Sequence, residues 1–255
     1  MTYVMSDIHG CYDEYLEMLR LIDFKDKDTL FVLGVVIDRG EKPVEVLMDM
    51  SKCANVFPII GNHEFAAVAV LEQILTQARF VITEESIYEL EHESKKREDM
   101  LNLLEDIREW EEIGGDTTIK GFGKLSLEEK ESIVDYLEEF SLFEVVSINN
   151  KTYILTHSGV PEGATLNNLD DFDAYAFIMN EIDYNKVYFD DAILVTGHLP
   201  IVSGKELTGK IWYGNNHIRI DTGCVFGGTL SCLCLDTGEE FYVTNVKKEN
   251  YYDLK

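Results

Sequence analysis

With 255 residues, 45% of them apolar, the chain is long enough for one large α/β domain whose core needs neither disulfides nor a structural metal, and no apolar run is long enough to cross a bilayer. Its 48 acidic residues against 22 basic ones leave a formal charge of −26, which repels nucleic-acid backbones and argues against a DNA- or RNA-binding role. The same field repels phosphorylated substrates at long range, so an enzyme acting on them needs local cations.

The first 62 residues alternate strand and helix. Apolar runs and helical spacings predict a strand over Thr2–Ser6, a helix over Cys11–Ile22 with Tyr12, Tyr15, Leu16 and Leu19 on one face, and a strand over Thr29–Gly34. A helix over Pro43–Cys53 and a strand over Val56–Ile60 follow. Each strand ends in a cluster: Asp7 and His9, then Val35, Asp38 and Arg39, then Asn62 and His63. Polar residues just past the carboxyl ends of successive strands mark where open α/β sheets place their sites. The first cluster follows Tyr3-Val4-Met5 so closely that a cytoplasmic protein with no cleaved signal is expected.

Residues from about 64 to 140 read as a helical insertion, very acidic over Thr83–Glu112. A solvated helix face is expected there, rather than a docking surface for a basic partner, with Leu101, Leu104, Ile107 and Trp110 seating it on the body. From Leu142 strands dominate, predicted over Phe143–Ile148, Thr152–Thr156, Ala192–Thr196, Ile211–Tyr213, Ile218–Asp221, Leu230–Leu235 and Phe241–Val243, with a helix near Asp170–Glu181. His157 and His198 each close one of these strands. The five cysteines (Cys11, Cys53, Cys224, Cys232 and Cys234) fall in no zinc-binding spacing and are expected as buried free thiols. No repeat or linker divides the chain, so one domain over residues 1–255 is the simplest organisation.

Five blocks carry chemistry: Asp7-Ile8-His9-Gly10, Gly34-Val35-Val36-Ile37-Asp38-Arg39-Gly40, Gly61-Asn62-His63-Glu64, His157-Ser158-Gly159 and Gly197-His198-Leu199-Pro200. Five of the six histidines lie in these blocks or in the pair Asn216-His217, and His92 lies in the acidic helix. His, Asp and Asn without a thiolate suit a borderline-to-hard divalent metal, manganese foremost, with iron or zinc as alternatives. Two such ions about 3.5–4 Å apart can clamp the attacking and leaving oxygens of an in-line displacement.

In these blocks and their order the chain resembles the phosphoprotein phosphatases among the calcineurin-like metallophosphoesterases. It is most similar to their bacterial and bacteriophage branch of serine/threonine phosphatases and symmetrical diadenosine tetraphosphate hydrolases. The resemblance extends to Trp110–Thr117, similar to that branch's tryptophan plus Gly-Gly-x-x-Thr segment, and to the stretch from Asn216 to Cys224. It implies an α/β four-layer sandwich of two mixed β-sheets flanked by helices. It further implies that Asp7 and His9 ligate a first metal and that Asn62, His157 and His198 ligate a second. His63 would be the general acid that protonates the leaving alkoxide, oriented by Asp38, and Arg39 would clamp the phosphoryl oxygens. Water would attack directly, without a phosphoenzyme.

The chain departs from that family at three places. The family has an aspartate bridging both metals where Val35 stands, and valine offers no ligand atom. Three protein donors remain at the second site, the usual count for an open catalytic ion, and two at the first. One ion at the second site and much weaker hydrolysis are therefore expected. A Trp-x-Arg element that supplies a further phosphate-binding arginine in relatives falls on Met179 and Glu181, and Leu199 replaces a threonine. The leading reading is hydrolysis of phosphomonoesters on phosphorylated proteins or small phosphoesters. A catalytically degenerate binding or regulatory protein on the same fold is the alternative. Hydrolysis of a symmetrical dinucleoside polyphosphate is a third reading, disfavoured by the acidic charge and Glu181.

Overall fold

The structure is a computed structural model that describes residues 1–79 and 94–246. Its first half contains β1 (Thr2–Met5), α1 (Tyr12–Leu21), β2 (Thr29–Leu33), α2 (Pro43–Met50), β3 (Val56–Ile59), α3 (Asn62–Arg79), α4 (Ser94–Glu112), α5 (Asp116–Phe122) and α6 (Leu127–Glu138). Its second half contains β4 (Phe143–Ile148), β5 (Lys151–Thr156), α7 (Tyr175–Ile178), β6 (Ala192–Thr196), β7 (Val202–Ser203), β8 (Glu206–Leu207), β9 (Trp212–Gly214), β10 (His217–Arg219), β11 (Thr229–Cys234) and β12 (Glu240–Thr244). No described helix is long and apolar enough to cross a membrane.

Two five-stranded sheets form, in the orders β12-β11-β1-β2-β3 and β4-β5-β6-β10-β9. Both are mixed. β1, β2 and β3 are parallel while β11 and β12 join antiparallel, and β5, β6 and β10 are parallel between antiparallel β4 and β9. Strand alternation sorts the side chains into layers. Tyr3, Met5, Leu30 and Val32 pack with Tyr15, Met18, Val46 and Leu47 of α1 and α2. Val4, Phe31 and Leu33 face the other way, onto Tyr153, Leu155, Val195 and Ile218 of the second sheet. The far face of that sheet, through Ile154 and Leu194, packs on Phe177 of α7 together with Leu169 and Phe189. Three apolar interfaces thus separate four layers, helices outside and sheets within.

Three details differ from the sequence expectations. Leu101 and Leu104 are 58% and 46% exposed, whereas Leu103, Ile107 and Trp110 join the core, so the apolar stripe of α4 keeps its period with its first members shifted in phase. Residues 83–93 of the acidic stretch, His92 included, lie outside the described residues, and the acidic side chains described on α4, such as Glu98, Glu105 and Glu109, are solvated.

The helix expected near Asp170–Glu181 is a 3₁₀ turn over Leu169–Asp171 followed by the single turn α7. It stops there because the Phe177 carbonyl, which a longer helix would need, accepts the backbone N–H and the hydroxyl of Ser158, both at 2.9 Å. The Ser158 hydroxyl also takes the Asn180 N–H at 2.8 Å. The third difference is the β7–β8 hairpin, where no strand was expected although Ser203-Gly204 is a turn signal.

Candidate active site

The loops after β1, β2 and β3 and those after β5 and β6 meet at the carboxyl ends of the two sheets. These loops bend sharply. Asp7, His9, Val35, Asp38, Arg39 and His198 all have left-handed backbone, with φ from 46° to 71°. Left-handed backbone at non-glycine residues costs about 1–2 kcal/mol each and persists where surrounding contacts over-determine it. The tight approach also requires Gly61, where an added Cβ would lie 2.7 Å from the Val35 nitrogen.

Much of that over-determination comes from Glu64, a residue to which the sequence reading gave no role. It is fully buried, and its carboxylate accepts the backbone N–H groups of Val35 (2.9 Å), Val36 (2.8 Å), Ile37 (3.3 Å) and Gly61 (3.0 Å). Burial raises its pKa above the ordinary carboxylate range, opposed by the His63 charge and by these backbone bonds.

Asp38 is also fully buried. One of its oxygens faces His63 Nδ1 at 2.7 Å and accepts the Trp110 indole N–H at 2.8 Å, and the other accepts the Thr118 hydroxyl at 2.6 Å. Thr118 closes the loop by accepting the Asp38 backbone N–H at 3.0 Å. Trp110 and Thr118 both fall in the tryptophan plus Gly-Gly-x-x-Thr pattern, since Gly114-Gly115 puts its threonine at 118; their shared task, holding the carboxylate that holds His63, is visible only in three dimensions. Trp110→Phe and Thr118→Val each leave Asp38 short of a donor and are expected to cost about 1–3 kcal/mol in urea unfolding. Losses below a few tenths would show that these bonds are replaced by water.

The imidazoles of His9 and His157 are fixed by backbone carbonyls. His157 Nδ1–H donates to Leu33 O at 2.8 Å and His9 Nδ1–H donates to Ile37 O at 3.1 Å. Since a carbonyl only accepts, each ring presents its Nε2 lone pair inward. That of His157 faces Asn62 Oδ1 at 2.9 Å and His198 Nδ1 at 3.0 Å. In its Nδ1–H tautomer a neutral His198 donates to His157 Nε2, and a cation bound there would take that proton's place. Burial, then the charge of His198, holds His157 well below the usual imidazole range, and burial with the charge of His63 lowers His198 to about 4. Both rings are therefore neutral at pH 7, the form that ligates metal.

On the other side, His9 Nε2 faces Arg39 Nη1 at 3.0 Å, and burial, then the charges of His63 and Arg39, lowers the His9 pKa well below its usual range. Asp7 accepts the Ser6 hydroxyl and, at 2.9 Å, the His198 backbone N–H. Burial, with the charge of Asp221, raises the Asp7 pKa well above the ordinary carboxylate range.

Asp7, His9, Val35, Arg39, Asn62, His63 and His198 line one cavity of about 180 Å³ with Leu199, Pro200 and Phe226 at its rim. Asp38 and His157 stand behind it. That volume takes a phosphoryl group and an ion, and leaves the rest of any nucleotide or peptide outside. Met179 and Glu181 are exposed and do not line it. Nearby, Arg219 stacks 3.9 Å from the Tyr184 ring and donates to the Leu199 carbonyl at 3.0 Å, so this cation braces the rim.

A family model described as calcineurin-like phosphoesterase matches residues 2–228. Two curated relatives, symmetrical bis(5'-nucleosyl)-tetraphosphatases of Salmonella typhimurium (strain LT2) and Salmonella newport (strain SL254), are 37% identical over 75 residues. The match covers 29% of this chain and 27% of each relative, so the chain spans about a quarter of their length. Among solved structures, a protein assigned as a diadenosine tetraphosphatase superposes with TM-score 0.58 at 16% identity, covering 95% of this chain and 92% of its own. A protein serine/threonine phosphatase from Saccharomyces cerevisiae with similarity to human phosphatase PP5 gives 0.54 at 14% identity, covering 95% of this chain and 78% of its own. At these identities the likeness is one of fold.

Proposed function

Because the chain belongs to the calcineurin-like phosphoesterase family, we propose that it is a metal-dependent phosphomonoesterase acting on phosphoserine or phosphothreonine proteins or on small phosphoesters. The observation that carries this reading is the His63–Asp38 pair at 2.7 Å, set at the same cavity as a triad of neutral metal donors. Asn62, His157 and His198 fit a divalent ion, because Asn62 Oδ1, His157 Nε2 and His198 Nδ1 already converge and both imidazoles are neutral. When bound there, a divalent ion polarises a phosphoryl oxygen and acidifies water.

The chain's own groups do the rest. His63, held in one orientation by Asp38, delivers a proton to the leaving alkoxide. Arg39 presents its planar fork to the phosphoryl oxygens. Manganese suits the His and Asn donors, and the helices between residues 64 and 140 are an insertion in a single domain.

The Salmonella relatives favour a second reading, hydrolysis of a dinucleoside tetraphosphate. Such a polyanion calls for several cations, and among the described residues lining the cavity Arg39 is the lysine or arginine present. Phosphate release from p-nitrophenyl phosphate, a phosphopeptide and diadenosine tetraphosphate, measured with added Mn²⁺, tests both. Weak Mn²⁺-dependent turnover of the monoesters is expected, falling about 100-fold or more in His63→Asn. Equal rates for the two proteins would remove His63 from the reaction. Turnover confined to the tetraphosphate would move the assignment to the second reading, and silence on all three substrates would favour a binding protein on this fold.

A further inference from the structure

The donor set does not fit two ions. Val35, which lines the cavity together with Asp7 and His9, is 1% exposed and has no donor atom. His9 has both ring nitrogens engaged, Nδ1–H by the Ile37 carbonyl and Nε2 by the Arg39 guanidinium. Arg39 is itself held in place. Its backbone N–H donates to Gly114 O at 2.8 Å, its Nε–H donates to Ile113 O at 3.3 Å, and its guanidinium carbon lies 5.3 Å from the centre of the Phe226 ring. Among the described residues no three His, Cys, Asp or Glu side chains converge on one point. The potential donor atoms that do converge are Asn62 Oδ1, His157 Nε2 and His198 Nδ1.

We propose that this chain binds a single divalent ion, at Asn62, His157 and His198, and that in the native chain the Arg39 guanidinium, docked on His9 Nε2, fills the place of a second cation. This deepens the phosphoesterase reading and rests on it only for the location of the site. A guanidinium carries one charge where a metal ion carries two, cannot be removed by a chelator and does not acidify water. His9 then serves to position Arg39, and ligates nothing.

The test is a Zn²⁺ titration of the chelator-treated chain labelled with ¹⁵N at histidine, followed by NMR and by elemental analysis after desalting. The expected result is one zinc per chain, with coordination shifts at the ring nitrogens of His157 and His198 and none at His9. His9→Ala, or His9→Gln if the alanine variant does not fold, should bind zinc with an affinity within about threefold of the native chain. His198→Ala should lose more than about 100-fold, the upper end of what loss of even an outer partner costs a metal site. In Val35→Asp a second zinc should bind and His9 should join the shifting signals. Two ions in the native chain, no ion at all, a coordination shift at His9, or equal losses in the His9 and His198 variants would each overturn the proposal. A chain that binds one zinc yet releases no phosphate from any ester keeps this inference and loses the catalytic one.

Discussion

Val35→Asp is expected to raise Mn²⁺-dependent turnover of p-nitrophenyl phosphate by about 100-fold, the scale on which one well-placed electrostatic group changes a rate. The backbone is already shaped for the change. Residue 35 sits at φ 46°, a conformation that is an outlier for a β-branched side chain and one that aspartate adopts several-fold more often than most residues. A carboxylate there would face the cavity between the two groups of donors and would supply the bridging ligand that the family resemblance implies.

The same substitution should carry a condition. Residue 35 is buried, and the new carboxylate would lie near the buried acids Asp7 and Glu64. In chelator Val35→Asp is therefore expected to lose about 3 kcal/mol or more, as a buried charge without a partner does, and to recover with Mn²⁺. Thermal unfolding with and without metal reads this directly. Turnover no higher than that of the native chain, with two ions bound, would sink the argument that valine is what limits the rate.

Glu64→Ala is expected to be the most destabilising single change at the site, about 3–5 kcal/mol in urea unfolding. It strips the acceptor from four buried backbone N–H groups, and three of these lie in the loop that carries Val35, Asp38 and Arg39. A loss below about 1 kcal/mol would mean that the loop holds its left-handed turns by other contacts. Glu64→Gln separates charge from shape. Because burial raises the folded pKa of Glu64 above its ordinary value, its contribution to stability is greatest below the ordinary carboxylate range and declines as pH rises through the folded value. The glutamine variant should lose that slope, which urea midpoints across the acidic pH range will show.

The blocks at strand ends were legible because strand alternation and short polar clusters are local signals. Asp7, His9, Arg39, Asn62, His63 and His198 lie around one cavity, as their shared position after strands suggested. What stayed hidden was long-range. The bonds from Trp110 and Thr118 to Asp38 span 72 and 80 residues, and no periodicity encodes them. The stop of α7 depends on Ser158, which precedes Phe177 by 19 residues and takes its carbonyl. On α4 the choice between Leu101 and Leu103 as the inward residue was a matter of helical phase, and tertiary packing decided it. Glu64 belonged to a recognised block, yet its partners are main-chain groups that any residue possesses.

The proposed donor triad also has a mechanical meaning. Asn62 begins the helix that follows β3 of one sheet, while His157 and His198 follow β5 and β6 of the other. An ion held by all three is a rivet through the seam between the sheets, at the end where the left-handed turns are stored. Occupancy and resistance to unfolding are then one equilibrium seen from two sides, worth about 2.7 kcal/mol at an ion concentration 100 times Kd. A melting curve run at increasing Mn²⁺ would report filling of the site even in a chain that hydrolyses nothing.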